Sequence, residues 1–287
     1  MRVSVIGANG QLGTDLVKTL TVRGFEVQSL TRNQVDVTSR DSVAKALSSF
    51  TPDVVVNTAA YVSVNLAETH EADAAAVNVV GAGHVADVAV GFGARNIYIS
   101  TDFIFDGQKP FGEFYEVDDI AGPLNVYGQT KYEGELAVSA VDPDALVYRI
   151  SSVFGAAGSS GKGGNFIEAV LKKVRAGEVA SVIDDNRMSP TYTAATANTL
   201  SELIGQGAVG VEHGSSFGYC SWYEMASYVA GKFGYEKYLM PIASDGNPKV
   251  QRPRNSVLSV AGVGKYGMSN VYWQDAVDSY LHEKGYL

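Results

Sequence analysis

Hydrophobic and polar positions follow two different rhythms through the first half of the chain. Short apolar runs predict β-strands at residues 3–6, 25–30, 53–57, 96–100 and 146–150. Longer segments between them repeat apolar residues every three or four positions and predict helices at residues 12–23, 40–50, 70–92 and 125–141. A strand–helix–strand order that repeats in this way predicts an α/β fold, a doubly wound parallel sheet with helices on both faces.

The regular alternation ends near residue 150. Residues 155–164 are almost entirely glycine, alanine and serine, which predicts a flexible loop. The remainder mixes short helical patterns with prolines and aromatic residues, as expected of a smaller lobe that supplies substrate contacts. We therefore predict a sheet domain at residues 1–150 and mainly a substrate-binding lobe at residues 151–287, with some later segments returning to the sheet.

The composition narrows the classes of partner. The 287 residues carry a net charge of −9, which disfavours nucleic-acid binding because that depends on lysine and arginine neutralising phosphates. No stretch of 18 unbroken apolar residues is present, so we expect no membrane span. The chain enters an apolar strand at once, without the pattern of a signal peptide, and its one cysteine is Cys220. Both features favour a cytoplasmic protein.

A glycine-rich loop joins the first predicted strand to the first predicted helix. Gly7, Gly10 and Gly13 have the spacing Gly-x-x-Gly-x-x-Gly, a variant common in short-chain dehydrogenases. Glycines here allow a tight turn and a close approach of the backbone to a diphosphate, which the free N–H groups of the helix N-terminus attract. The loop predicts a Rossmann-type dinucleotide site made of Gly7, Asn9, Gly10, Gln11, Leu12 and Gly13.

The end of the second predicted strand bears on which dinucleotide binds. NAD enzymes usually carry an acidic residue there for the ribose 2′-hydroxyl, whereas this chain reads Leu30-Thr31-Arg32. Because a guanidinium suits a 2′-phosphate, Arg32 favours NADP(H), while NAD(H) stays open. Asp36, followed by Val37, is a candidate contact for the adenosine, and a solvated loop carboxylate is the alternative interpretation.

A tyrosine and a lysine lie four residues apart on the fourth predicted helix, as Tyr127 and Lys131. Residues at this spacing share a helix face, so we expect the ammonium to stabilise the tyrosinate. The phenol then becomes an effective proton donor to a ketone oxygen. Thr101, at the carboxyl end of the preceding strand, is the candidate hydroxyl that bonds the same oxygen.

Other residues of the same types carry less weight. Two more tyrosine–lysine pairs have this spacing, Tyr228/Lys232 and Tyr280/Lys284. Both lie in the second half of the chain, and we interpret them as helix-surface or packing pairs. The four histidines and the single cysteine have no ligand spacing, so the sequence predicts no metal site.

A set of motifs runs along most of the chain. The two most specific are Ser100-Thr101-Asp102 and Pro123-Leu124-Asn125-Val126-Tyr127-Gly128. Further matching segments lie at residues 7–13, 52–60, 103–107 and 129–135. Through these residues the chain resembles the dTDP-4-dehydrorhamnose reductase family of extended short-chain dehydrogenases, which act in the last step of dTDP-L-rhamnose synthesis. The resemblance implies a Rossmann-type fold, NADP(H) and a nucleotide-sugar substrate.

The resemblance also implies roles for individual residues. It implies a catalytic trio of Thr101, Tyr127 and Lys131. It implies a cofactor groove lined by the glycine loop, Asp36, Val37, Ala59, Ala60, Tyr61, Val62, Tyr127 and Lys131. It implies substrate contacts at Thr101, Asp102, Ser152 and Arg252. Three positions depart from the family pattern, with Asn65 replacing the usual aspartate, Phe103 a tyrosine and Ser152 a tryptophan.

The resulting hypothesis is NADPH-dependent reduction of the 4-keto group of a nucleotide-linked 6-deoxy sugar, with Tyr127 as proton donor. One alternative is a non-catalytic NADP-binding regulatory subunit similar to that of methionine adenosyltransferase, which the intact catalytic trio disfavours. Another is a nucleotide-sugar epimerase, which would keep bound NAD and which Arg32 disfavours. A homodimer stays open.

Overall fold

A computed structural model of the chain describes residues 1–157, 164–244, 250–267 and 271–287. Its strands are β1 Arg2–Ile6, β2 Glu26–Leu30, β3 Val54–Asn57, β4 Arg95–Thr101, β5 Leu146–Ile150, β6 Val153–Phe154, β7 Ala180–Ile183, β8 Thr191–Tyr192, β9 Gly210–His213 and β10 Leu239–Ile242. Its helices are α1 Gln11–Val22, α2 Arg40–Ser48, α3 Val64–Ala67, α4 Glu71–Ala75, α5 Gly81–Gly91, α6 Val126–Val141, α7 Phe166–Arg175, α8 Thr193–Gln206, α9 Trp222–Gly231 and α10 Trp273–Glu283. A π-helical segment, Ala76–Val80, links α4 to α5.

Six parallel strands form the main sheet, in the order β2-β1-β3-β4-β5-β9. The chain moves outward from β1 to β2 and then crosses back to β3 on the other side of β1. Open α/β sheets bind ligands at such a switch point, outside the carboxyl ends of the strands. The predicted Rossmann-type fold is therefore confirmed, and the loops that follow β1 and β3 flank the expected ligand site.

Helices cover both faces of this sheet. On one face α1 and α8 pack on the strands through residues such as Leu16, Leu200 and Ile97. On the other face α2 and α5 pack through Val43, Val85 and neighbouring apolar side chains, and α6 packs beside them. Burial on both faces explains why the inner strands β3 and β5 are mostly apolar in sequence, whereas the edge strand β2 is partly polar and exposed.

The second half of the chain contributes to both parts of the molecule. Strand β9 pairs with β5 at the edge of the main sheet, and α8 packs against α1. The remaining elements form a smaller lobe around a separate apolar cluster, in which α7 and α9 pack against the two-stranded pair β7 and β10, and α10 packs against β8. Of the predicted loop at residues 155–164, residues 158–163 lie outside the described residues.

Among the described residues, one helix is long and apolar enough to cross a membrane by length and composition alone, the continuous helix Glu71–Gly91. Its inward side packs on the sheet and on α6, with Val85, Val88 and Ala89 in the core. It is therefore placed as a core helix of the sheet domain. Cys220 is buried in the smaller lobe.

Candidate active site

The glycine loop is shaped by close backbone contacts that only glycine allows. Gly7 has a φ of +82°, and a Cβ on it would lie 2.5 Å from the Thr58 hydroxyl and 2.9 Å from the Ala59 nitrogen. A Cβ on Gly13 would overlap the Gly7 carbonyl oxygen. The loop is thereby held tightly between the first turn of α1 and the end of β3.

The N-terminus of α1 fits a diphosphate. Gly10 is its N-cap, so no side chain caps the free N–H groups, and the first turn contains no acidic residue. The Gln11 amide oxygen is buried without a hydrogen-bond partner within the described residues. Asn9 is exposed, whereas Leu12 points into the core, so only its backbone can face a ligand. These residues fit the diphosphate of a dinucleotide cofactor.

The segment after β3, Ala59–Val62 in the predicted groove, is fixed by a residue that sequence reasoning missed. Asn78 accepts a hydrogen bond from the Tyr61 backbone nitrogen at 2.8 Å and donates to the Tyr61 carbonyl oxygen at 3.3 Å. Its amide also donates to the Thr130 hydroxyl on α6 at 3.1 Å. Asn78 lies in the π-helical segment, and its signal in the sequence is a single amide within an apolar run.

The residues predicted for the adenosine lie after β2. Arg32 is exposed in the turn, where its charge stays available. Asp36 is also exposed, but its carboxylate accepts from the Thr38 nitrogen at 3.0 Å and the Thr38 hydroxyl at 2.7 Å, which lowers its pKa. Val37 is buried. The carboxylate of Asp36 therefore stabilises its own turn.

The start of α6 is held in place from three directions. Asn125 caps the helix by accepting from the Gly128 nitrogen at 2.8 Å, and Glu68 accepts from the Val126 nitrogen at 2.9 Å. A Cβ on Gly128 would overlap the carbonyl oxygen of Phe103. These contacts bring the first turn of α6, with Tyr127, directly against the segment that follows β4.

Thr101 and Tyr127 meet at the carboxyl end of β4. Burial raises the pKa of Tyr127 to about 12, while a hydrogen bond with the Thr101 hydroxyl opposes the shift and the nearby charge of Asp102 adds to it. The Phe103 ring lies edge-on to the Tyr127 ring at 5.8 Å. The structure thus places the two predicted hydroxyl groups together at the end of a central strand.

Asp102 lies beneath this pair and is only 2% exposed. Its carboxylate accepts from the Ser151 hydroxyl at 2.7 Å and the Thr101 hydroxyl at 3.2 Å. Burial raises its pKa to about 6, against the opposing hydrogen bonds of Ser256, Ser151 and Thr101. Asp102 therefore supports Thr101 from inside the protein, and its side chain is not open to a ligand.

Lys131 differs from the expectation that its ammonium adjoins the phenol of Tyr127. The ammonium donates to the Tyr98 hydroxyl at 2.7 Å and to the Ile99 carbonyl oxygen at 2.6 Å. Burial lowers the pKa of Lys131 to about 7, against the opposing charge of Glu135. The physical reason is that a buried ammonium needs acceptors, and β4 supplies two of them beside α6.

The predicted substrate residues surround the same end of the sheet. Arg252 is exposed and donates to the Asn65 side-chain oxygen at 2.6 Å, so one of the three departures from the family pattern is its direct partner. The neighbouring Gln251 carbonyl oxygen accepts from Asn125, the cap of α6, at 2.8 Å. Ser152 has a backbone φ of +45°, which is unusual for a residue other than glycine.

The two other tyrosine–lysine pairs lie away from this cluster. The Tyr228 hydroxyl and the Lys232 ammonium both donate to Asp278, at 3.0 and 2.8 Å. Lys284 forms an ion pair with Glu168 at 2.8 Å. Among the residues the structure describes, no group of three or more histidine, cysteine or acidic side chains is arranged to hold a metal ion.

The sequence matches known proteins along nearly its whole length. Residues 1–285 match the model of a family described as the RmlD substrate binding domain. The chain is similar to the spore coat polysaccharide biosynthesis protein SpsK of Bacillus subtilis, with 34% identity covering 99% of this chain and 98% of that protein. It is 35% identical to a dTDP-4-dehydrorhamnose reductase of Mycolicibacterium smegmatis, covering 96% of this chain and 84% of that one. A crystal structure of dTDP-4-dehydrorhamnose reductase from Bacillus anthracis in complex with NADP is similar with a TM-score of 0.91 and 28% identity, covering 98% and 99% of the two chains.

Proposed function

Because the chain belongs to the dTDP-4-dehydrorhamnose reductase family, we propose that it uses NADPH to reduce the 4-keto group of a nucleotide-linked 6-deoxy sugar. It is an NADP(H)-dependent oxidoreductase of this family. The observation that carries the finer proposal is the meeting of Thr101 and Tyr127 at the end of β4, on the same edge of the sheet as the glycine loop. Bound on that loop, NADPH would supply the hydride.

Tyr127 supplies the proton in this proposal. The phenol donates its proton to the carbonyl oxygen of the sugar as hydride reaches the carbon, so the C=O group becomes a secondary alcohol and Tyr127 becomes a tyrosinate. Its raised pKa, about 12, keeps the phenol protonated at neutral pH before the transfer. The Thr101 hydroxyl, which lies beside the phenol, orients the same oxygen.

Lys131, one helical turn from Tyr127, stabilises the same tyrosinate through space in its charged form, which the lowered pKa of about 7 makes dependent on pH. A second charged group suits the diphosphate of a nucleotide-linked sugar. Arg252 is exposed, and its partner Asn65 is neutral, so the guanidinium charge is available to attract this diphosphate. Ser152, where many relatives carry a tryptophan, removes a flat packing surface from the sugar site. Arg32 would pair with the 2′-phosphate of NADP(H).

The test is a spectrophotometric screen. Purified protein should oxidise NADPH, followed by loss of absorbance, in the presence of dTDP-4-keto-6-deoxy sugars or close analogues. Tyr127→Phe should lower kcat by about a hundredfold or more while NADPH binding persists. Tyr228→Phe is the matched control, since Tyr228 also has a lysine four residues later, and it should keep normal turnover.

The outcomes separate the alternatives. Full turnover by Tyr127→Phe would refute the mechanism. Tight NADPH binding with no turnover of any nucleotide sugar would favour the regulatory subunit. Interconversion of two nucleotide sugars by protein that keeps its NAD, without net NADPH loss, would favour the epimerase.

A further inference from the structure

The Lys131 ammonium depends on a group that lies on the neighbouring strand. Lys131 is 1% exposed, so its charge must be satisfied by the protein. Within the described residues it has two acceptors, the Tyr98 hydroxyl and the Ile99 carbonyl oxygen. These two contacts use two of the three N–H groups of the ammonium.

Tyr98 is itself rigidly held. Its side chain is 0% exposed, and its hydroxyl donates to the Asn78 carbonyl oxygen at 3.1 Å. The hydroxyl proton is thus used on Asn78, and a lone pair faces Lys131. A Cβ on Gly134 would overlap the hydroxyl oxygen and lie 3.0 Å from the Tyr98 Cζ, so α6 carries a glycine where the ring needs room.

Among the described residues, no carboxylate accepts a hydrogen bond from the Lys131 ammonium. The nearest acidic group on α6 is Glu135, which is already engaged with Arg149 on β5 through contacts of 3.0 Å and 2.8 Å. The charge of Glu135 is therefore largely neutralised by the guanidinium. The other ionisable groups nearby, Tyr127 and Asp102, belong to the reacting end of the site. Loss of the Tyr98 hydroxyl would leave Lys131 with the Ile99 carbonyl oxygen and the face of the ring, whose centroid lies 3.9 Å from the ammonium.

We propose that Tyr98 is a positioning residue of the reductase: its hydroxyl fixes the Lys131 ammonium on β4 and keeps it charged for its action on Tyr127. The assignment rests on the proposed reductase activity. Tyr98 acts only through Lys131 and touches neither substrate nor reacting atoms. Its signal in the sequence is a tyrosine between two isoleucines, two positions before Ser100.

The first experiment is a double-mutant cycle measured on kcat. Tyr98→Phe removes only the hydroxyl, and we expect kcat to fall about tenfold with the KM of the sugar changed less than twofold. In the Lys131→Met background the same substitution should change kcat less than twofold. Tyr148→Phe, a buried tyrosine on the paired strand β5, is the matched control and should leave kcat unchanged. Equal effects of Tyr98→Phe in both backgrounds would overturn the proposal.

The second experiment needs no turnover, so it separates failure of this inference from failure of the proposed function. The protein is labelled with ¹³C at lysine Cε, and the Lys131 resonance is identified by its absence in Lys131→Met. The hydroxyl stabilises the charged form, so Tyr98→Phe should lower the titration midpoint of Lys131 by about one pH unit. An unchanged midpoint in Tyr98→Phe, or an equal shift in Tyr148→Phe, would refute the proposal.

Discussion

Replacement of Gly13 by alanine tests the assignment of the glycine loop to the cofactor. The new Cβ would overlap the Gly7 carbonyl oxygen and lie 2.9 Å from the Ala8 Cα. Both atoms belong to the backbone of the loop, so no flexible side chain can move aside. The loop must shift away from α1, and with it the N–H groups that face the diphosphate.

Two opposing contributions to the free energy decide how far the loop is disturbed in Gly13→Ala. Alanine within a helix is favoured over glycine by about 1 kcal/mol. Overpacking costs about 1–3 kcal/mol, and a collision with backbone lies at the upper end of that range. Because the displaced atoms are those proposed to hold the cofactor, we expect the Kd of NADPH to rise by about ten- to a hundredfold, which corresponds to about 1.4–2.7 kcal/mol.

Fluorescence titration with NADPH measures this change directly. Gly83→Ala is the matched control, because Gly83 also lies within a helix and its Cβ would have only an ordinary contact with the Ala137 Cβ at 3.8 Å. Gly83→Ala should keep the Kd of NADPH and raise thermal stability through the same helix preference. An unchanged Kd in Gly13→Ala would refute the placement of the cofactor on this loop.

Two further predictions follow from single residues. Arg32→Ala should raise the Kd of NADPH about tenfold and leave that of NADH unchanged in the same titration, with Arg40→Ala as control; equal losses for both cofactors would contradict the role of Arg32. Asp102 has a pKa of about 6 when folded and about 3.9 when unfolded, so it should stabilise the wild type by roughly 3 kcal/mol at pH values below both, and roughly 2 kcal/mol of this should be lost as the pH rises from 4 to 6. Urea unfolding across this range should show that dependence in the wild type and not in Asp102→Asn, and matching profiles would refute it.

The sequence predicts the elements of the sheet domain well because burial leaves a clear pattern. The predicted strand at residues 146–150 coincides with β5, and the helix predicted at 125–141 differs from α6 by one residue. The helix predicted at 70–92 is also present, but its π-helical segment is not visible in an apolar periodicity. A single inserted residue per turn changes the hydrogen bonding without changing which side chains are apolar.

The candidate site was predictable only in part. The pattern places Thr101 at the end of a strand and Tyr127 at the start of the helix that follows. Strand ends and helix starts adjoin at the carboxyl edge of a parallel sheet, so the sequence predicts that the two hydroxyls meet. The partner of Lys131 depends instead on the distance between α6 and β4, which is set by glycines such as Gly134 and by the size of Tyr98. Helix spacing predicts only that Lys131 lies on the same helix face as Tyr127. The acceptors of its buried ammonium depend on which groups pack beside α6.

The late position of strand β9 and helix α8 in the sequence affects how the chain folds while it is being synthesised. When residues 1–150 have left the ribosome, β5 is still an open edge and the outer side of α1 is still bare of its partner. The cofactor-binding half therefore cannot close until the segment that ends at His213 has been made, although its ligand-binding loops were synthesised long before. A nascent chain stalled in between would present an unpaired strand and an uncovered apolar helix, the features that chaperones bind and that promote aggregation.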